Sequence, residues 1–204
     1  MNTSEQTINY IKEHPHISHC LKKGLINYSA LSRLISEELK LTNKTSLDAI
    51  LIAARRYQEQ LTKEKSYEKD AIKLLKKAEL EINNKITIII FEKNGEDIET
   101  VKKDTKGIFH FIEGSECDMI ITQERNEEKI KSKLKKIVKI NNNLALLNLQ
   151  TPNTIEDTPG VVSYLTSKFS ENGVNIVEFL SCWTDNMFAI KEEDLEKAIR
   201  FLRF

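Results

Sequence analysis

Four candidate metal ligands fall close together near the start of the chain: His14, His16, His19 and Cys20. On a helix His16, His19 and Cys20 share a face, and zinc accepts such ligands. A structural zinc site closes four ligands in paired spacings, and the sequence offers no second pair. Loop and cap histidines beside a buried cysteine are therefore the expectation, and no metal. His110 reads as a packing or surface residue of a strand. No nucleophile stands beside a base in a nameable arrangement, and the carboxylates lie on charge-alternating helical faces, as in solvated helices. The six glycines are too scattered to cradle a phosphate, so neither a dinucleotide fingerprint nor a Walker loop is present. The expectation is a chain that is not an enzyme and holds no cofactor.

A second chemistry concerns nucleic acid. A short turn at residues 41–44 separates a helix over 28–39, with Leu31, Leu34, Ile35 and Leu39 at helical spacing, from a helix capped by Thr45 with Asp48 three residues on. The second helix carries Leu47, Ile50, Leu51, Ala54, Tyr57 and Leu61 on one face. If this pair is a DNA-binding helix-turn-helix, Lys44, Thr45 and Ser46 face bases or phosphates, and Arg55 and Arg56 reach the backbone. Charge speaks against a strong effect. Lys+Arg and Asp+Glu are 31 each over 204 residues, and phosphate neutralisation supplies much of DNA affinity. A helical protein-interaction or dimerisation module is the equal alternative.

The elements that position these residues divide the chain in two. Apolar residues at 40% and charged residues at 30% suit a globular protein with a core. Three distant cysteines, a polar start and no long apolar run predict a cytoplasmic protein with reduced thiols and no membrane segment. Neither glycine nor proline occurs between Gly24 and Gly95, which reads as helix. Residues 1–62 form a helical module and 63–84 a connecting helix. Its stripe of Ala71, Leu75, Ala78 and Ile82 either packs on its own domain or forms a dimer seam. The domain boundary falls near 83–85.

After Lys85 the texture turns to short β-rich runs: strands over 86–91, 107–113, 118–123 and 144–149. Between the last two lies a cationic helix over 126–140 with Ile130, Leu134, Ile137 and Val138 inward. From Leu144 the order is strand, loop, helix, strand, strand, helix. Pro159 suits the first turn of that helix and Gly173 its exit. Residues 175–181 and 186–190 are strands, and 194–201 closes the module. Trp183, in the turn between the two strands, is either exposed for a contact or a cap on the sheet. The fold class is α+β, with a helix-turn-helix-like module followed by tandem ferredoxin-like βαββαβ units.

Thr158-Pro159-Gly160-Val161-Val162, followed by Phe169-Ser170-Glu171-Asn172-Gly173-Val174-Asn175-Ile176-Val177-Glu178, resembles the ACT domain. The later Asp194-Leu195-Glu196-Lys197-Ala198 is similar to the second helix of the regulatory ACT pairs of aspartate kinases. Residues 144–204 carry the resemblance. Residues 85–143 resemble a degenerate first unit without the Pro-Gly loop. Residues 11–57 resemble the N-terminal part of prokaryotic ACT regulators of amino-acid metabolism.

The resemblance implies a regulatory binder of a small effector, an amino acid, between side-by-side units. It places the effector against Glu156, Asp157, Thr158, Pro159, Gly160 and Val161, with Asn175 and Ile176 opposite. The chemistry agrees: amides at a helix start attract a carboxylate, Asp157 meets an ammonium, and the Asn175 amide donates and accepts. No fourth strand follows the last helix, so the units share strands or a second chain supplies an edge, which favours a homodimer. Through the connecting helix the effector would signal to the N-terminal module and control transcription. The alternative is a ligand-free oligomerisation module acting on another protein.

Overall fold

The computed structural model describes residues 2–42, 44–63, 67–93, 95 and 97–204. The chain splits into two compact units, Met1–Ser66 and Tyr67–Phe204.

The first unit is helical: α1 (Thr3–Glu13), α2 (Pro15–Lys22), α3 (Tyr28–Glu38) and α4 (Leu47–Lys63). Asn2 and Glu5 close a reciprocal cap at the start of α1. Tyr10, Ile11, Leu21, Leu31, Ile35, Ile50, Ala54, Tyr57 and Leu61 make its core, each large side chain adding about 1.5–3 kcal/mol on burial. Leu34, expected on the inner face of α3, is 40% exposed. The helix starting near Thr45 begins instead at Leu47. Ser46 takes the capping role by accepting from the Ala49 N–H at 3.2 Å, and the Thr45 hydroxyl bonds that of Thr3 at 2.8 Å. Asn43, in the expected turn, lies outside the described residues.

The second unit opens with α5 (Glu68–Leu75), followed by β1 (Glu79–Glu92). This corrects the connecting helix over 63–84. Residues 79–84 are strand, and 64–66 lie outside the described residues. The heptad-like stripe is split, with Ala71 and Leu75 buried on α5 and Ile82 39% exposed on β1. The β-branched Ile82 suits a ladder, and pairing with β4 carries Asn83 and Asn84 along against their own propensity. Then come α6 (Ile98–Lys103), β2 (Phe109–Glu113), β3 (Cys117–Gln123), α7 (Glu127–Lys131) and β4 (Ile137–Gln150). The helix expected over 126–140 thus ends early. Lys136 sits at φ 52°, and Ile137, Val138 and Ile140 continue as strand, with Val138 58% exposed rather than inward. The chain closes with α8 (Val161–Glu171), β5 (Ile176–Cys182), β6 (Asp185–Lys191) and α9 (Leu195–Phe201).

All six strands form one antiparallel sheet in the order β2-β3-β1-β4-β6-β5. The two central strands are 14 residues each. Their pairing accounts for the missing fourth strand. Residues 79–83 pair with 146–150, and residues 137–141 pair with 88–91. Each half of the sheet therefore has four strands, the fourth lent by the start of the other half's first strand. Where the strand passes from one half to the other it bulges, at Lys85 (φ 52°) in β1 and Asn143 (φ 57°) in β4.

Helices α5, α8 and α9 pack on Ala145, Leu147, Phe188 and Ile190. Val101 of α6 and Ile130 of α7 pack on Ile89, Phe91 and Ile120. On the opposite face Ile86, Ile88, Ile121, Leu144, Leu146, Met187 and Ala189 form one buried cluster made of strand residues from both halves. The two halves cover each other there. Burial pulls the His110 imidazole on β2 below its usual range, and the Asp185 carboxylate on β6 opposes this, across strands that would lie roughly 19 Å apart in a flat sheet.

Candidate functional site

The loop from Thr151 to Gly160 leaves β4 and enters α8. A hydrogen-bonded clasp fixes its root. The Thr151 N–H and hydroxyl both donate to the Thr184 carbonyl, at 2.8 and 3.0 Å. The Asn186 amide, fully buried, donates to Leu149 O, Thr151 Oγ1 and Thr184 O at 3.2–3.4 Å. These bonds tie the loop to the β5–β6 turn that carries Trp183.

Beyond the clasp, residues Asn153–Asp157 make a 3-10 turn, and the Thr158 hydroxyl donates to Thr154 O at 2.7 Å. Gly160 then takes φ 87°, a conformation that favours glycine, and α8 begins without a side-chain cap. A Cβ at Gly160 would meet nothing within 4 Å. The first amides of α8 are free of a side-chain cap at the positive end of an 11-residue helix, suited to a carboxylate. Asp157, Pro159 and Gly160 are exposed and Thr158 is half-buried. Val161 is 2% exposed, its side chain in the core with Leu165 and Phe169, so only its backbone is on offer.

Asn175 and Ile176 are not brought to this loop within one chain. Ile176 pairs with Ile190, whereas the loop root is held at Thr184, beyond the Cys182–Asp185 pair. The six-residue run of β5 between Ile176 and Cys182 separates them by roughly 20 Å. At the Ile176 end lies an open cleft of about 270 Å³ lined by Asn142, Asn143, Lys191 and Glu193. A similar one of about 260 Å³ lies against Asn84, Lys85, Gln123, Glu124 and Arg125.

Trp183 is 62% exposed at φ 52°, a conformation costing about 1–2 kcal/mol for a bulky residue. It flanks β5, the edge strand of the sheet. Among the described residues no group of three His, Cys, Asp or Glu side chains could hold a metal ion. His14 instead stacks on Tyr10 and bonds its carbonyl.

Residues 139–203 match the family model of the ACT domain. This stretch is an ACT domain. In fold, the chain is similar to the aspartate kinase of Clostridium acetobutylicum, at 19% identity over 61% of this chain and with a TM-score of 0.50. It spans about a third (33%) of that kinase's length. It is also similar to a structure of aspartokinase alpha and beta subunits, at 14% identity over 60% of this chain and 93% of that one, again with a TM-score of 0.50. No curated protein matches the chain in sequence. Among the described residues no helix is long and apolar enough to cross a membrane. ACT domains are regulatory ligand-binding domains, and the uncapped start of α8 lies inside this one.

Of the DNA-contact candidates, Thr45 and Ser46 are engaged with Thr3 and with the cap of α4. Arg55 lies over the Tyr28 ring at 5.2 Å, while Lys44 and Arg56 are exposed. The sequence reading passed over two features. Asn186 carries the signal of an amide inside an otherwise apolar strand. The second is an internal repeat, Ile82-Asn83-Asn84-Lys85-Ile86 against Ile140-Asn141-Asn142-Asn143-Leu144, which marks both crossing strands.

Proposed function

We propose that this chain is a non-catalytic regulator in which two ACT-like units, residues 79–136 and 137–204 with their first strands exchanged, take an amino acid and signal to the helical unit. The structural likeness extends over 60–61% of the chain, almost twice the stretch matching the family model, which supports counting the first half as a second unit. The observation that carries the reading is the open start of α8 at Gly160 inside the ACT domain, beside an unpaired sheet edge. Its first amides take the effector carboxylate, and Asp157 takes the ammonium.

The opposite wall comes from a second copy. Antiparallel pairing of β5 with its copy, about a two-fold at Phe179, sets the partner's Ile176 opposite Cys182, the end where the loop is rooted. The partner's Asn175 then faces the Pro159–Gly160 bend. Lys and Pro, which commonly blunt sheet edges, are absent from Ile176–Cys182, and Phe179 is 37% exposed. For the helical unit the engaged hydroxyls of Thr45 and Ser46 favour protein contact over base reading, with transcriptional control the other output.

A thermal-shift series with the common amino acids tests effector binding. At 100 times its dissociation constant a ligand adds about 2.7 kcal/mol. Stabilisation by one of them, lost in Gly160→Trp and in Asn175→Ala without change of oligomeric state, is the expected result. Stabilisation by none of them at millimolar concentration contradicts the reading.

A further inference from the structure

A cleft of about 420 Å³ lies in the helical unit, between the second half of α3 and the start of α4, lined by Arg33, Ser36, Glu37, Thr42, Thr45, Ser46 and Leu47. Its size falls in the range of small-molecule sites. Ser36 is 3% exposed. One turn earlier Ser32 returns its hydroxyl to the Tyr28 carbonyl at 2.8 Å. Ser36 has no such bond among the described residues, and it lines the cleft. A serine hydroxyl with no protein partner, on a residue that lines the cleft, leaves hydrogen-bonding capacity for a ligand.

The charges define that ligand. Arg33 and Glu37 stand one turn apart on α3 and both line the cleft, and among the described residues neither has an ion-pair partner. The start of the 17-residue α4 adds a positive end at Ser46 and Leu47. A simple anion is drawn by Arg33 and the helix start but repelled by Glu37, and a simple cation meets the reverse. A molecule carrying both charges close together satisfies both. Leu47, 44% exposed, adds an apolar wall.

We propose that the α3–α4 cleft binds a free zwitterionic amino acid, its carboxylate on Arg33 and the α4 start, its ammonium on Glu37, and Ser36 bonding the carboxylate. This site is separate from the ACT loop and does not depend on it.

The test is calorimetric titration of the full chain with each of the common amino acids, then with the N-acetyl and amide derivatives of any that binds. The expected result is binding weakened at least tenfold by Arg33→Gln, by Glu37→Gln and by either derivative. Ser36→Ala weakens it less, and the event that Arg33→Gln weakens is distinct from any that Gly160→Trp removes. Both charged residues are exposed, so their variants keep the fold. No binding by any amino acid overturns the proposal, as does binding indifferent to Arg33→Gln and Glu37→Gln. Binding lost in Gly160→Trp but kept in Arg33→Gln overturns it while upholding the ACT-site reading. Equal binding of acetate, insensitive to Glu37→Gln, also overturns it.

Discussion

Tyr10 and Asn186 show how single polar groups hold each unit. Burial and the Glu38 carboxylate, which accepts the Tyr10 hydroxyl at 2.9 Å, push the phenol up to about 12. A tyrosine in the unfolded chain ionises near 10, so between pH 10 and 12 the folded state holds more protons than the unfolded one. Stability therefore falls as pH rises through this window, by on the order of 2 kcal/mol from this group. Denaturant titrations of the wild type and Tyr10→Phe at pH 9 and pH 12 check this, and the variant loses less stability between them. Asn186→Ala removes the buried amide that donates to Leu149 O, Thr151 Oγ1 and Thr184 O. We expect a loss of about 1–3 kcal/mol, read in the same denaturant experiment, and faster exchange of the Thr151 amide by hydrogen–deuterium exchange. A loop at Thr158-Pro159-Gly160 leading into a helix was legible in the sequence because proline and glycine act through local chemistry. However, α8 starts at Val161 after a left-handed Gly160, so Pro159 lies ahead of the first turn expected to hold it. Asn186 was not legible, because its role depends on Leu149 and Thr151, which only the β4–β6 pairing brings to it.

At the scale of elements, the strand exchange is the device that makes the sheet. Residues 79–83 form the fourth strand of the half containing β4, β5 and β6. Leu80→Pro removes a ladder donor from a paired strand and destabilises the second unit. Thermal unfolding should show the second unit melting early, and a melting curve equal to the wild type would count against the exchange. The open edge at β5 makes an opposite prediction. Phe179→Lys puts a charge at the centre of the proposed two-fold, and sedimentation should find a monomer where the wild type is a dimer. A wild-type monomer at the same concentration would remove the edge pairing. Helices α3, α4, α8 and α9 and the strands β3 and β6 follow from local period and punctuation, so the sequence displays them within a few residues. The helix expected over 63–84 and the one over 126–140 misled for a shared reason. Each joins a short real helix to the polar first half of a long strand. Ile82, four after Ala78, and Ile137 and Val138, three and four after Leu134, continue a helical period while belonging to strands whose ladder partners lie dozens of residues away. Non-local pairing overrides a local pattern there.

For the whole molecule, the proposed function has the two ACT-like units take an effector and signal to the helical unit. Such coupling requires the effector to bind two arrangements of the chain with different affinity. The central claim is that each effector site is built from two chains, the Gly160 bend of one and the Asn175 strand start of the other. Complementation in a mixed dimer tests it most directly. Gly160→Trp and Asn175→Ala chains, each inactive as a homodimer, are mixed and titrated with the amino acid that stabilises the wild type. The account predicts that the mixed dimer regains one wild-type site, half the stoichiometry at unchanged affinity. Titration of the mixture with no recovery of binding, or full binding by either homodimer alone, would contradict it.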